Sequence, residues 1–312
     1  MIMNLSYTRK NRGFSVIELL IAMLVATVIV LGVYRFLTSS HRSLTFTKAN
    51  DAVNRSVMIS NRSLTSYLRM AGFRNYRRVI DSITFERRTV NIGGKDVTFP
   101  LNTYIIGAES TVTPAVATHP NDEIYIRYYG SSIDDDLSES GGAINVTTNQ
   151  RMFDCNGESI DRLQEAFLRF YVTNEGLHCD QRIITFNHSG TAVTGETEDN
   201  GILIDNNVIS ILFGFRMDGN DAFYLSPEMP GKSYSGSRMS TSNFEVVNAL
   251  RYGILVREDT HQKVSKSKTE RQFHMLGFTT NDDLATAPAS ETNIYQLVSG
   301  VIYMRNRYIE TN

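Results

Sequence analysis

The segment "RKNRGFSVIELLIAMLVATVIVLGVYRF" (residues 9–36) decides the fold, because basic residues lead into an unbroken apolar run. The run from Phe14 to Tyr34 has 21 residues. As an α-helix it would span roughly 30 Å, the thickness of the hydrocarbon core of a bilayer. Glu18 is the one charged residue within it. A carboxylate in hydrocarbon is costly, by about 2.5–3.5 kcal/mol near the middle of a span, so Glu18 calls for a functional explanation and a partner.

Two simpler explanations of this segment leave Glu18 unaccounted for. A secretory signal peptide also has a basic start, but here the apolar run is too long and no small-residue cleavage site follows it. A plain membrane anchor has the right length and gives Glu18 no role. Arg9, Lys10 and Arg12 precede the run and favour a cytoplasmic N-terminus, although basic residues also follow it.

The order Gly13, Phe14, Glu18, followed by an apolar helix, resembles the class III signal of type IV pilins and pseudopilins. The resemblance implies that a prepilin peptidase cleaves between Gly13 and Phe14 and that Phe14 is N-methylated. Glu18 then becomes the fifth residue of the mature chain. In that family this carboxylate pairs with the terminal amine of a neighbouring subunit and sets the register of assembly, which is physically sensible because opposite charges attract strongly in a low dielectric.

A helical pattern continues beyond the apolar run. Apolar residues recur at helical spacing with polar residues between them, at Leu37, Leu44, Val53, Val57, Leu64, Leu68 and Ala71. Gly72 is a plausible stop. The sequence therefore predicts a cleaved leader (1–13), a membrane or filament-core helix (14–36), an amphipathic continuation (37–72) and a periplasmic globular body (73–312).

The body has the texture of strands and turns. Segments rich in β-branched and aromatic residues lie at 89–99, 122–130, 166–179, 208–225, 248–258 and 293–308. The front of the third, residues 159–170, is also compatible with a short helix. Polar stretches that favour exposed loops lie at 131–142, 189–201, 226–243 and 279–293. The fold class is therefore α+β, with one long N-terminal helix packed on an antiparallel β-rich domain.

Four segments beyond the N-terminus resemble the PilW family of minor pilins: "RSLTSYLRMAGF" (62–73), "NNVISILFGFRMDGND" (206–221), "VVNALRYGILVRED" (246–259) and "VSGVIYMRNRY" (298–308). The second departs from the family's usual aromatic-glycine turn at Phe215–Asp218. This resemblance implies a minor pilin that primes type IV pilus assembly. It would act at or near the pilus tip, with other minor pilins, the major pilin and an adhesin-like partner.

The chain has two cysteines, Cys155 and Cys179, and neither lies in a zinc-binding motif. If the body is exported, a disulfide between them is the natural interpretation, and it would stabilise the fold by roughly 3 kcal/mol. The alternative is two buried, unpaired thiols.

Nothing in the sequence indicates catalysis or a cofactor. It lacks a nucleophile elbow, a phosphate-binding loop and a zinc-protease motif, and its six histidines are scattered, so each is expected at the surface or in a loop. The acidic residues 134–139, the turn 218–221 and the basic run 263–271 are interpreted as solvated loops or turns rather than as metal or nucleic-acid sites. A net charge of −2 gives no reason to expect a nucleic-acid partner.

Two other functions stay open at this point. A pseudopilin of a type II secretion or DNA-uptake system would carry the same N-terminal signal. A membrane-anchored periplasmic enzyme or binding protein would have a ligand-lined pocket in the β-rich body and no requirement for Glu18.

Overall fold

The structure is a computed structural model of the 312-residue chain. It describes residues 15–74, 85–110, 121–130, 152–161, 163–187, 192–219, 221–226, 244, 247–258, 271–277, 284–287 and 293–304. The chain divides into two compact units, Met1–Lys48 and Ala49–Asn312, and one helix contributes to both.

The helix α1 runs from Val16 to Met70, over 55 residues. At 1.5 Å per residue it is about 80 Å long. It ends where the sequence predicts: Gly72 follows with a φ of 75°, and the Phe73 amide donates to the Met70 carbonyl at 2.9 Å. A Cβ at Gly72 would lie 2.9 Å from the Tyr104 ring, so both the backbone conformation and the available space require glycine there.

Thirteen strands follow the helix in the described part of the chain. They are β1 (Arg88–Ile92), β2 (Lys95–Phe99), β3 (Ile105–Glu109), β4 (Asp122–Tyr129), β5 (Gln164–Thr173), β6 (Gly176–Phe186), β7 (Val193–Asp205), β8 (Val208–Met217), β9 (Tyr224–Leu225), β10 (Val247–Glu258), β11 (Arg271–His274), β12 (Leu284–Ala287) and β13 (Ile294–Tyr303).

The strands form two larger sheets and two hairpins, all antiparallel. The five-stranded sheet has the order β3-β4-β5-β6-β7, and the four-stranded sheet has the order β13-β10-β8-β9. The hairpins are β1-β2 and β11-β12. The predicted α+β class, with one long helix before an antiparallel β-rich domain, is confirmed.

The main core lies between the second part of the helix and the inner faces of both sheets. It contains Val53, Leu64 and Leu68 of the helix, together with alternate residues of β4 and β10. The strands predicted at 122–130 and 248–258 are confirmed, and alternate residues of both share this core: Ile124, Ile126 and Tyr128 with Leu250, Tyr252, Ile254 and Val256.

Both sheets also bury much of their outer faces, because a hairpin packs on each. Val90, Ile92 and Phe99 of the β1-β2 hairpin cluster with Tyr125 and Phe167 of the five-stranded sheet. On the four-stranded sheet, Ala285 of β12 joins a second cluster that includes Leu212 and Leu255. The central strands are therefore buried on two faces, as is usual when both sides of a sheet are covered.

Two segments predicted as loops form strands. Residues 189–201 contribute most of β7, and residues 279–293 contain β12. The β7 residues are polar because β7 lies at the edge of its sheet, where most of its side chains are exposed and only the backbone pairs with β6. The helical alternative for residues 159–170 is wrong, since β5 begins at Gln164.

Three single-residue predictions also need correction. His178 is buried within β6, not at the surface or in a loop, and its Nδ1 lies 3.0 Å from the Gly176 carbonyl oxygen. Leu37 and Leu44 are exposed, so the buried stripe of the helix begins only at Ala49. The predicted loop at 131–142, with the acidic residues 134–139, lies outside the described residues. Of the predicted loop at 226–243 and the basic run 263–271, only Ser226 and Arg271 are described.

Candidate functional site

The first half of α1 is apolar on every side. Between Val16 and Phe36 every side chain is exposed, and Glu18 and Arg35 are the only charged residues. The exposed fractions of Leu20, Leu24 and Val28 are 60%, 67% and 62%. A helix without a polar face needs lipid or other helices around it. Among the described residues α1 is the one helix that is long and apolar enough to cross a membrane.

Threonine hydroxyls in and next to this segment are satisfied within the helix. The Thr27 hydroxyl donates to the Met23 carbonyl, and the Thr38 hydroxyl donates to the Tyr34 carbonyl at 3.0 Å. Such bonds let a hydroxyl sit in hydrocarbon without water. The remaining polar side chains from Val16 to Tyr34 are the carboxylate of Glu18 and the phenol of Tyr34. Tyrosine is common at the membrane–water interface, where its hydroxyl can contact water.

Glu18 lies in the first turn of the helix. Its amide donates to the Ser15 carbonyl at 3.0 Å, and the Leu19 amide donates to the same oxygen at 3.2 Å. The N-terminal end of a helix carries partial positive charge, which favours a carboxylate in this turn. That interaction is worth only about 0.3–1 kcal/mol, less than the cost of placing the charge in hydrocarbon. Glu18 therefore still calls for a cation from outside its own helix.

Gly13 and Phe14, the predicted cleavage pair, lie outside the described residues. Cleavage between them, methylation of Phe14 and the assembly role of Glu18 stay predictions.

The second part of the helix is held by polar groups as well as by the core. The Asp205 carboxylate, which is buried at the end of β7, accepts hydrogen bonds from the hydroxyls of Ser56 and Ser60. At the next residue of the helix, the Tyr252 hydroxyl donates to the Asn61 side-chain oxygen at 2.6 Å. These contacts could not be predicted from sequence, because two serines on a helix and a distant aspartate follow no motif.

A third contact joins the helix end to residues 152–161, which we call the strap. The Tyr67 hydroxyl donates to the Asp154 carbonyl at 2.9 Å, and the Tyr128 hydroxyl donates to the Phe153 carbonyl at 2.6 Å. Asp154 is buried, and its carboxylate accepts the amides of Asn156 and Glu158 at 2.9 Å and 2.7 Å. The strap is therefore a compact turn that connects α1 with β4.

A disulfide fixes the strap to the five-stranded sheet. Cys155 of the strap is joined to Cys179 of β6, with 6.2 Å between their Cα atoms. The Gln181 side chain reinforces this link, since its oxygen accepts the Cys155 amide at 2.7 Å and its nitrogen donates to the Asp154 carboxylate at 3.1 Å. The helix end, the strap and the sheet are thus fastened together.

Elsewhere in the body, a buried cluster of charged residues joins the five-stranded sheet to the β1-β2 hairpin. Arg169 pairs with Glu123 at 3.0 Å and with Asp180 at 2.9 Å, and all three are buried. Lys95 of the β1-β2 hairpin adds a contact to Glu123 at 2.7 Å. A Cβ at Gly93, in the hairpin turn, would lie 2.0 Å from an Asp180 oxygen, so the turn sits directly on this cluster.

The described residues contain no group of three His, Cys, Asp or Glu side chains placed to hold a metal ion. Asp218 belongs to the turn predicted at 218–221. Its carboxylate accepts a hydrogen bond from the Asn248 side-chain amide at 3.2 Å, which is a structural contact.

The chain shares similarity with known proteins in two respects. Residues 8–34 match the prokaryotic N-terminal methylation motif. Among solved structures, a type IV-like pilin from Thermus thermophilus is similar over 82% of this chain and 98% of that chain, with 8% sequence identity and a TM-score of 0.42. No curated protein matches the chain. The motif confirms the class of signal predicted from Gly13, Phe14 and Glu18, and it is the signal processed by prepilin peptidases.

Proposed function

We propose that the chain is a minor pilin, a structural subunit that helps to prime type IV pilus assembly at or near the tip. The observation that carries this proposal is the N-terminal methylation motif on a helix that is apolar on every side. The segment resemblance to the PilW family at 62–73, 206–221, 246–259 and 298–308 supports the finer assignment. The body, predicted over residues 73–312, offers surface for selecting neighbours.

In this proposal the subunit waits in the inner membrane, with its N-terminus in the cytoplasm and its body in the periplasm. The disulfide between Cys155 and Cys179 agrees with an oxidising compartment. Cleavage after Gly13 frees the amine of Phe14, and α1 then exchanges lipid for neighbouring helices. Glu18 pairs with the amine of an adjacent subunit, which supplies the cation that its own helix lacks.

Processing is tested by the mass of the protein recovered from membranes. The mature chain should be lighter by the 13 leader residues and should begin with methylated Phe14. Gly13→Leu should leave the leader attached. Gly32→Leu is the matched control, because the space around Gly32 is open and the residue lies far from the cleavage point. A wild-type protein that begins at any residue other than Phe14 would overturn the proposal.

Assembly is tested by the fraction of the protein recovered in sheared pili. Glu18→Gln keeps the size of the side chain and removes its charge, so this fraction should fall by about tenfold or more, since breaking a buried ion pair costs about 3–5 kcal/mol. Glu18→Asp keeps the charge and should retain more assembly. Unchanged incorporation of the Gln variant would contradict the pairing role.

Deletion of the gene distinguishes the pilus from related machines. Loss of surface pili and of twitching motility supports the minor pilin. Loss of protein secretion with normal pili would assign the chain to a secretion pseudopilus instead.

A further inference from the structure

The two longest edge strands of the body differ in how they are protected. β7 has thirteen residues, and its Glu196 and Glu198 carboxylates pair with Arg182 of β6, which covers that edge with charge. β13 has ten residues, Ile294–Tyr303, with no charged residue and no proline. Charges and prolines are the usual means of preventing an edge strand from pairing with another chain. The β13 edge lacks both.

In the described part of the chain, β13 has a partner strand on one side. β13 pairs with β10 along its whole length, from Ile294 opposite Glu258 to Tyr303 opposite Ala249. Among the described residues no strand pairs with its other side. The outward backbone donors and acceptors of an edge strand are the groups that an added strand uses, and neighbouring side chains then select which strand is added.

The side chains beside this edge form a cationic and aromatic patch. Arg216 of β8, Ala249 of β10 and Tyr303 of β13 are aligned in one row across the sheet. Because Ala249 is small, the Arg216 guanidinium reaches Tyr303 and lies 5.2 Å from the centre of its ring. Phe223 adds a second ring, 5.7 Å from the guanidinium of Arg216 and 4.6 Å from that of Arg251.

The two β13 side chains of this patch are exposed, whereas Arg216 and Arg251 are half-buried beside them. Tyr303 is 62% exposed, and Val301, which lies beside Arg251 in the next row, is 40% exposed. Arg216 uses its Nε to donate to the Asn248 side chain at 3.0 Å, and it forms no ion pair within the described part of the chain. The remaining donors of a guanidinium suit a carboxylate, which they can bind in bidentate fashion.

We propose that β13 is a strand-addition site for an extended segment of a neighbouring pilus subunit, and that this segment carries a carboxylate that binds at Arg216. Backbone pairing along β13 supplies the affinity, Val301 and Tyr303 contact apolar side chains, and the guanidinium selects the acidic residue. An anionic lipid would satisfy the guanidinium but would leave the strand edge unpaired, so a protein segment is the better fit. The identity of the partner rests on the proposed function.

The experiment places a photo-crosslinking amino acid at Ser299, near the middle of β13, in full-length protein in piliated cells. Thr197 of β7 is the matched control, because it is also an exposed hydroxyl residue on an edge strand. Irradiation followed by mass spectrometry of the adduct identifies the peptide captured. We expect an adduct at position 299 with an Asp- or Glu-containing segment of another pilus subunit, and little or none at position 197.

Variants of Arg216 test the selecting charge. Arg216→Glu should reduce the adduct at position 299 by about tenfold or more, since like charges would then face each other. Arg216→Lys should retain more of it. The thermal unfolding midpoint of each variant shows whether the fold is kept. If Arg216→Glu lowers the unfolding midpoint, its adduct yield is set aside. The yield of Arg216→Lys at position 299 and the wild-type yield at position 197 then test the inference.

Several results would overturn the inference. They are no adduct at position 299, an adduct with lipid, equal adducts at both positions, a captured segment without a carboxylate, and an adduct unaffected by charge reversal in a folded variant. These are separable from the proposed function. If the crosslink fails while leader cleavage and the Glu18 phenotype are as expected, the strand-addition site is wrong and the proposed function stands. If the captured acidic strand belongs to a protein outside the pilus, the site is right and the partner is wrong.

Discussion

The two parts of α1 have the same backbone geometry and opposite surroundings. In the unit Met1–Lys48 its leucines are exposed, with Leu20 at 60% and Leu24 at 67%, whereas Leu64 and Leu68 in the second unit are fully buried. In the first part the Thr27 hydroxyl donates to a carbonyl of its own helix, whereas in the second part the hydroxyls of Ser56 and Ser60 donate to Asp205. The difference shows that forming a helix does not determine what the helix packs against. The first part exposes its apolar side chains to lipid or to other chains, and the second part packs in the core of the body.

The largest expected effect comes from the same truncation made in each part. Leu68→Ala should lower the free energy of unfolding of the body by about 2–5 kcal/mol, because it removes buried apolar surface and leaves a cavity. Leu24→Ala should change it by about 0.5 kcal/mol or less, the usual range for an exposed position. Chemical denaturation of the full-length protein in detergent measures both. Equal losses would break the comparison.

The next effect concerns the disulfide that holds the strap at the helix end. Replacing both Cys155 and Cys179 with alanine should cost roughly 3 kcal/mol of stability, because the unfolded chain regains the freedom of the closed loop. Amide hydrogen exchange should rise for the last turns of α1, which contact the strap through Tyr67, and stay unchanged near Leu24. Tyr67→Phe, which removes only that hydroxyl contact, is the milder control. Equal exchange changes in both parts would show that the strap does not hold the helix end.

The Asp205 contact should have a smaller effect. Asp205→Asn weakens the acceptor for Ser56 and Ser60, and a loss of about 1–3 kcal/mol is expected for buried hydrogen bonds to a charged group. The double variant Ser56→Ala, Ser60→Ala completes a mutant cycle, in which the losses should be clearly non-additive. Thr27→Ala in the exposed part is the control and should leave body stability unchanged. Additive losses would mean that the aspartate and the serines act independently.

The smallest expected effect is a pH dependence confined to the second unit. Burial by itself raises the pKa of Glu123, but hydrogen bonds and charge from Arg169, with help from Lys95 and Tyr125, outweigh burial and hold this pKa below its usual value of 4.5. A lowered folded-state pKa means that the stabilisation is complete above pH 4.5 and is lost as the pH falls through the folded-state value.

Thermal unfolding between pH 7 and pH 3 checks this dependence. The Glu123→Gln variant is expected to be less stable at pH 7 and to lose less stability on acidification than the wild type. Lys95→Met removes one weaker partner of Glu123, so it should reduce the dependence only slightly. An acid loss that is identical in the wild type and in Glu123→Gln would assign the effect to other carboxylates.

Much of the fold can be predicted from sequence, because local rules govern it. The end of the helix at Gly72 and the β1-β2 turn at Gly93 follow from backbone conformations that glycine favours. The shared faces of β4 and β10 follow from alternation. β7 was missed because an edge strand with exposed side chains needs no apolar pattern. His178 was misplaced because its burial depends on strands that are distant in sequence.

The sequence by itself determined the processing signal, the apolar helix with its single acidic residue, and the α+β class. These are contiguous features, in which composition and spacing act within a few turns of one helix or within one hairpin. Only the tertiary structure decided that the Asp205 carboxylate accepts from Ser56 and Ser60 and that the strap contacts the helix end. It also decided that, among the described strands, β13 is an edge strand close to Arg216. Such contacts join residues that are far apart along the chain, and their energies depend on burial and geometry that exist only once the sheets have packed.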